Sequence, residues 1–325
     1  MDILIDIAAI LAGFGLLIWS SDFFVTGASA TARNLGVTPL IIGLTIVGFG
    51  TSAPEIMVAA IAASGGNPGL AVGNAIGSNI TNIALVLGLT AIIVPLNVHS
   101  SLLKREYPLL LLATVLACLL LALDNQLDRM DGMIMALTLV AILYWLVKQA
   151  MTHRSTDPII EEFEHEIPAH MPMSKALMLL VLGLIILLAS SKLLVWGAIN
   201  VALSLGISDL IIGLTIVAIG TSLPELGASI ASVRKNEPDI AMGNLIGSNM
   251  FNTLGVLGTT GLIQPSVMDA GVLSRDLPLM FILTLVVFIM AFGFRNKGTI
   301  TRFKGSMLFA VFIGYETLLF FSATA

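Results

Sequence analysis

Two glutamates, Glu55 and Glu225, stand in the matching runs GTSAPE and GTSLPE, each inside a strongly apolar stretch. On a helix, Thr51, Ser52 and Glu55 can share a face, and Thr221, Ser222 and Glu225 repeat the arrangement. A second pair of runs, GSNITN and GSNMFN, sets Ser78 four residues before Asn82 and Ser248 four before Asn252. The pooled side chains are two carboxylates, two amides and six hydroxyls, with no Cys or His. Such hard oxygens suit Ca²⁺, which takes about 6–8 of them in a flexible shell, and the similarly sized Na⁺. Zn²⁺ and Cu would favour nitrogen or sulfur. The histidines, His99, His153, His165 and His170, all fall in expected loops.

The electrostatics point the same way. One ionised carboxylate at the centre of a membrane helix costs about 2.5–3.5 kcal/mol on insertion scales. Two that face each other also repel, so the pair needs a bound cation or a proton. If one divalent ion and several monovalent ions compete for the same glutamates, an empty charged site crosses poorly and obligatory exchange follows.

The elements that position these residues are duplicated. Residues 40–55 and 210–225 are LIIGLTIVGFGTSAPE and LIIGLTIVAIGTSLPE, and the same offset superimposes GNAIGSNITNIALVLG (73–88) on GNLIGSNMFNTLGVLG (243–258). Mean hydropathy is +1.01, with 57% apolar and 11% charged residues, which excludes an ordinary soluble domain. Ten apolar segments are each long enough to cross a bilayer as a helix, near 4–24, 37–62, 69–94, 106–123, 131–149, 174–202, 207–232, 240–264, 274–293 and 303–321. Strict alternation is absent, which argues against a transmembrane β-barrel. The first segment lacks a positive leading region and a small-residue cleavage site, and reads as a retained helix rather than a signal peptide. Gly48, Gly50 and Pro54, like Gly220 and Pro224, predict broken helices at membrane depth, whose freed carbonyls must line a protein-enclosed or hydrated cavity. The single cysteine, Cys118, rules out an intrachain disulfide.

With the N-terminus outside, the inward loops hold Arg33, Lys104, Arg105, Lys148, Arg154, Lys175, Arg234, Lys235, Arg295, Lys297, Arg302 and Lys304, most of the 15 basic residues. The positive-inside rule then puts both termini outside. Five spans per repeat is odd, so the second copy crosses in the opposite sense. The expected fold is an all-α integral membrane protein of ten transmembrane helices in two inverted-topology five-helix repeats. The halves are 1–149 and 174–325, joined by a short cytoplasmic linker, 150–173.

These motifs, in this order and spacing over nearly the whole chain, resemble the two α-repeats of the cation/calcium exchanger superfamily, and the sodium/calcium exchangers in particular. The resemblance implies ten helices, a central Na⁺/Ca²⁺ site near the midplane, and sliding of helices one and six across the rest during alternating access. It implies Glu55 and Glu225 as main Ca²⁺ ligands, further oxygens from Thr51, Ser52, Thr221 and Ser222, and Ser78, Asn82 and Ser248 facing the site. Asn252 stands where many relatives carry Asp, leaving two carboxylates rather than three. The expected activity is therefore antiport exporting Ca²⁺ against Na⁺, with H⁺- or K⁺-coupled Ca²⁺ exchange, or a passive cation channel, as the alternatives. An intramembrane enzyme lacks a nucleophile–base pair. No cofactor is expected, Ca²⁺ and Na⁺ being the transported ions, and the expected partners are the bilayer and these ions, with no nucleic acid. The short linker predicts no soluble regulatory domain. A compact chain of this kind fits a bacterial cytoplasmic (inner) membrane.

Duller readings attach to the same residues. Ser52-x-x-Glu55 and Ser222-x-x-Glu225 also fit capping boxes, and the GSN runs fit small-residue packing faces. Asp22 and Lys192 occupy equivalent positions and are expected to pair structurally, with each other or with backbone, a gating role being the alternative. The acidic run EEFEHE (161–166) reads as a solvated loop.

Overall fold

In lipid every backbone polar group must find a partner within the protein, so apolar stretches of this length resolve into helices. The computed structural model describes residues 3–37, 39–98, 106–152, 171–204, 218–292 and 298–324. The helices are α1 (Ile3–Leu35), α2 (Pro39–Ile42), α3 (Gly48–Ser64), α4 (Pro68–Thr81), α5 (Gly88–Ile93), α6 (Glu106–Asp124) and α7 (Arg129–Thr152). They continue as α8 (Met173–Ser204), α9 (Ala218–Thr221), α10 (Leu223–Arg234), α11 (Pro238–Met250), α12 (Leu257–Ile263), α13 (Leu277–Phe292) and α14 (Arg302–Thr324). π-Helical turns join α2 to α3 (Gly43–Val47), α4 to α5 (Asn82–Leu87) and α11 to α12 (Phe251–Val256), and another (Val272–Asp276) leads into α13.

Among the described residues, eight helical runs are long and apolar enough to span a membrane. The run expected at 240–264 is helical as well, over 238–263. Its apolar sequence is diluted by Asp239, Asn244, Ser248, Asn249 and Asn252, all buried inside the protein. The span expected at 207–232 is described only from Ala218 onward, and most of the linker, the four histidines and EEFEHE lie outside the described residues. The first helix does not stop near residue 24 but continues to Leu35. The hydroxyls that lower its hydropathy bond to their own helix, Thr26 to the Asp22 carbonyl at 2.6 Å and Thr31 to that of Gly27 at 2.7 Å.

Two short clips close the loops. β1 (Leu96–Val98) pairs antiparallel with β4 (Gly298–Ile300), with Leu96 opposite Ile300, and β2 (Gln126–Leu127) pairs with β3 (Ser266–Val267). Each joins a loop of the first half to one of the second. Asp128 starts α7 with a reciprocal cap, accepting from the Asp131 amide at 2.8 Å while Asp131 accepts from its own at 3.0 Å.

α1 and α8 lie antiparallel in close contact. Gly13 faces Leu194 and Gly27 faces Leu180; at the matching positions 170 residues on, Gly183 faces Phe24 and Gly197 faces Ile10. A Cβ built on Gly183 would lie 2.6 Å from the Phe24 amide nitrogen, and one on Gly13 2.8 Å from that of Leu194. Without a hydrophobic drive between helices in lipid, such close backbone approach is what supplies packing. α10 packs alongside α1, and Asp22 makes an ion pair there with Lys235 at 3.7 Å, both side chains partly exposed. The expected pairing with Lys192 is therefore corrected: Lys192 is exposed, and in the register of α1 against α8 it stands level with Gly15, about two helical turns from Asp22. On the other side of α2 and α3 the fully buried α11 crosses with its glycines against the partner backbone, Gly243 at the Leu40 carbonyl and Gly247 at that of Leu44.

Gly183→Ala should destabilise the protein by about 1–3 kcal/mol through forced separation of α1 and α8. Gly15→Ala, with open space around the new methyl, should leave stability unchanged or raise it. Thermal unfolding of the two variants in one detergent checks the contrast.

Candidate cation site

The helices that carry the two GTS-x-PE runs differ in shape. α3 runs without interruption through Pro54. In the second half the helix breaks at Ser222, whose backbone (φ −92°, ψ 4°) separates α9 from α10, with Pro224 in the first turn of α10. Sequence predicts a break in both, and only the second shows it at this motif. Proline removes the amide that would bond the carbonyl four residues earlier, here that of Gly220. Ser191 on α8 donates to this carbonyl at 2.8 Å. Its counterpart Ser21 on α1 donates instead to Leu17 of its own helix at 2.6 Å.

Glu55 and Glu225 are each 1% exposed and close enough to interact electrostatically. The Ser52 hydroxyl donates to Glu225 Oε1 at 3.4 Å, a contact that crosses between the halves. The hydroxyls of Thr51 and Ser248 also border the Glu225 carboxylate and lie 3.3 Å from each other. The structure thus gathers Thr51, Ser52 and Ser248 around the Glu225 carboxylate, with Glu55 near enough to interact with it. Asn82 donates to Asn249 Oδ1 at 3.2 Å. Ser78 on α4, Ser222 at the break between α9 and α10, and Asn252 in the π-helical turn after α11 are buried without hydrogen bonds to the rest of this set among the described residues, and Thr221 ends α9 half-buried.

Among the described residues, several buried oxygens have no hydrogen-bond partner: Glu55 Oε2, Glu225 Oε2, Asn82 Oδ1, Asn252 Oδ1 and Ser222 Oγ. A buried acceptor left unsatisfied costs about 1–3 kcal/mol, more when charged. A cation between the two carboxylates would supply the charge that their orphaned oxygens lack; Asn79 Oδ1, at a residue the sequence reading did not single out, is orphaned as well. Among the described residues no three His, Cys, Asp or Glu side chains cluster for a metal, so an ion here must rely on two carboxylates supplemented by hydroxyl and amide oxygens.

Sequence reasoning passed over the asparagines that hold these groups in place. Asn74 donates to the Glu55 carbonyl at 3.3 Å, and its counterpart Asn244 to the Glu225 carbonyl at 3.4 Å. Asn79 donates to Thr253 at 2.7 Å, tying α4 to the turn after α11. The signal was present, since Asn74, Asn79, Asn244 and Asn249 recur in GNAIGSN and GNLIGSN. The π-helical turns that begin at Asn82 and at Phe251 had no such signal; they turn the second half of each run relative to the first at the point where Asn82 and Asn252 sit.

The profile of the sodium/calcium exchanger protein family matches residues 5–148 and 175–321. The chain belongs to the sodium/calcium exchanger family. Within it, the chain is 51% identical to the putative antiporter CaxA of Alkalimonas amylolytica, over 96% of this chain and 98% of that one. It is 40% identical to inner membrane protein YrbG of Escherichia coli (98% and 97% covered) and 30% to the sodium/calcium exchanger MaX1 of Methanosarcina acetivorans (98% and 99%). The fold matches the sodium-calcium exchanger NCX_Mj soaked with Na⁺ and Sr²⁺ at a TM-score of 0.82 and 34% identity, over 96% of this chain and 98% of that one. The family is one of transporters, not enzymes, and this exchanger is an integral membrane protein.

A ligand that binds only the folded state stabilises it by about 2.7 kcal/mol at a hundredfold excess over Kd. Ca²⁺ should accordingly raise the melting temperature of the purified exchanger by several degrees, and should fail to do so for Glu55→Gln and Glu225→Gln. Thermal unfolding with and without Ca²⁺ is the measurement.

Proposed function

We propose that the protein is a secondary active antiporter exporting Ca²⁺ in exchange for Na⁺, by alternating access at a site built from Glu55, Glu225, Thr51, Ser52, Ser78, Asn82, Thr221, Ser222, Ser248 and Asn252. The observation that carries this reading is the pair of buried carboxylates from the two halves, near enough to interact and each with an oxygen that has no partner among the described residues. Two negative charges are matched by one divalent ion or by monovalent ions in its place, which makes the two kinds of ion competitors. MaX1 and NCX_Mj, both sodium/calcium exchangers, agree with it.

Halves 1–149 and 174–325, linked by 150–173, form inverted repeats in this reading. The antiparallel course of α1 against its counterpart α8 supports opposite insertion. Alternating access needs the halves to differ at any moment and to exchange shapes. The unbroken α3 beside the broken α9–α10, and the different acceptors of Ser21 and Ser191, are differences of that kind. The distribution of Lys and Arg puts both termini outside, and the name of YrbG favours a bacterial inner membrane.

The absence of a third carboxylate at Asn252 sustains one rival, coupling to H⁺ or K⁺. In vesicles holding the purified protein, Ca²⁺ uptake should require an opposing Na⁺ gradient and should vanish in Glu55→Gln and Glu225→Gln. Uptake driven equally well by a pH or K⁺ gradient without Na⁺ would overturn the assignment of the coupling ion. In the cell, a cysteine added after Ala325 should react with an impermeant thiol reagent from the outside; labelling only after lysis would reverse the orientation.

A further inference from the structure

The best-connected polar side chain beside the carboxylates is one that no ligand set includes. Asn244, fully buried on α11, touches both halves of the protein. Its Nδ2 lies 3.4 Å from the Glu225 carbonyl and 3.4 Å from Ser229 Oγ. Its Oδ1 lies 3.1 Å from Thr51 Oγ1 and 3.5 Å from Ser248 Oγ. The Glu225 carbonyl only accepts, which fixes the amide with Nδ2 on that side and Oδ1 toward the hydroxyls. An amide oxygen also only accepts, so both hydroxyls must donate to it when they bond it.

Each hydroxyl carries one proton and two competing destinations. Thr51 and Ser248 border the Glu225 carboxylate as well as Asn244 Oδ1. With no cation present, a proton directed at the carboxylate is favourable. With a cation at Glu225 the proton must leave that side, because a hydroxyl coordinates through its lone pairs. Asn244 Oδ1 can take both protons at once, one from each half. Thr51 has further outlets in the carbonyls of Val47 at 3.1 Å and Gly48 at 3.5 Å, whereas Ser248, the Glu225 carboxylate aside, has Asn244 and Thr51 as its partners among the described residues.

We propose that Asn244 is a positioning residue that turns the lone pairs of Thr51 and Ser248 toward the cation, and so sets the affinity of the site for Ca²⁺. The inference rests on the Ca²⁺ site proposed above. The counterpart Asn74 has no equal hold: it is half-buried and bonds the Glu55 carbonyl, but Ala59 stands where Ser229 stands in the second half. The two asparagines, closely matched in sequence context (GNAIGSN and GNLIGSN), therefore provide an internal comparison.

The test is Ca²⁺ uptake by reconstituted vesicles under a fixed opposing Na⁺ gradient, with KM and maximal rate measured separately. Asn244→Leu, close in shape but without an acceptor, should raise the Ca²⁺ KM about tenfold, the loss expected for one charge-coupled hydrogen bond, with the maximal rate little changed. Asn244→Asp keeps the acceptor and should leave KM at or below the wild-type value. Asn74→Leu should raise KM clearly less than Asn244→Leu. A fall in maximal rate at constant KM, an Asn244→Asp KM raised as far as that of Asn244→Leu, or equal effects at Asn74 and Asn244 would each overturn the proposal. Should Asn244→Leu fail to fold, Ser229→Ala, which removes one anchor of the amide, is read in the same way: a raised KM supports the role and an unchanged KM overturns it. Loss of Ca²⁺ uptake by the wild type itself would instead defeat the underlying reading of the site.

Discussion

Everything in this molecule answers to two carboxylates held where water is scarce. In bulk solvent Glu55 and Glu225 would be hydrated independently. Buried and near enough to repel each other, they are stable as charges only when something positive stands by them, because the cost of taking an ion out of water must be offset by a partner. That single condition accounts for the hydroxyls of Thr51, Ser52 and Ser248 around the Glu225 carboxylate and for the asparagines that fasten both glutamate carbonyls. It also accounts for the company α11 keeps. A helix with so many polar side chains would be expelled from lipid, and it is tolerated because every residue from Asp239 to Met250 is buried inside the protein.

The halves are near-copies in sequence and unequal in structure. Proline stands at the same place in both motifs, yet α3 continues through Pro54 while the second half parts at Ser222. The difference has a local cause that is visible: the carbonyl released by Pro224 is met by Ser191 from α8, whereas Ser21 on α1 is turned to its own helix. One sequence motif thus accompanies two backbone shapes, and the hydroxyl of the neighbouring helix has a different acceptor beside each.

Much of this was readable in advance, and the failures follow a pattern. Apolar length located eight spans because the requirement to satisfy the backbone in lipid leaves few alternatives. The duplicated GTS-x-PE and GSN runs pointed to the residues that converge, since a carboxylate in an apolar run has no cheap explanation. What escaped was anything decided by side chains reaching across helices. Hydropathy ended α1 too soon, as it counts Thr26 and Thr31 as polar although both are satisfied within the helix. Asp22 found Lys235 rather than Lys192, a matter of the register between helices. The π-helical turns at Asn82 and Phe251 depend on packing that no spacing encodes, whereas Asn74 and Asn244 recur in the repeated runs but show their bonds only in three dimensions.

The glycine contacts between α1 and α8 are reciprocal. Gly13 meets Leu194 as Gly183 meets Phe24, and Gly27 meets Leu180 as Gly197 meets Ile10. Surfaces that exchange residues in this way are self-complementary, the geometry of a two-fold homodimer. A polypeptide of half this length, inserting in both directions across its membrane, would already possess the whole of that contact without any new interface being devised. Fusion of two such genes would fix the stoichiometry and free each copy to diverge, and Ser229 opposite Ala59 is one place where the copies have done so.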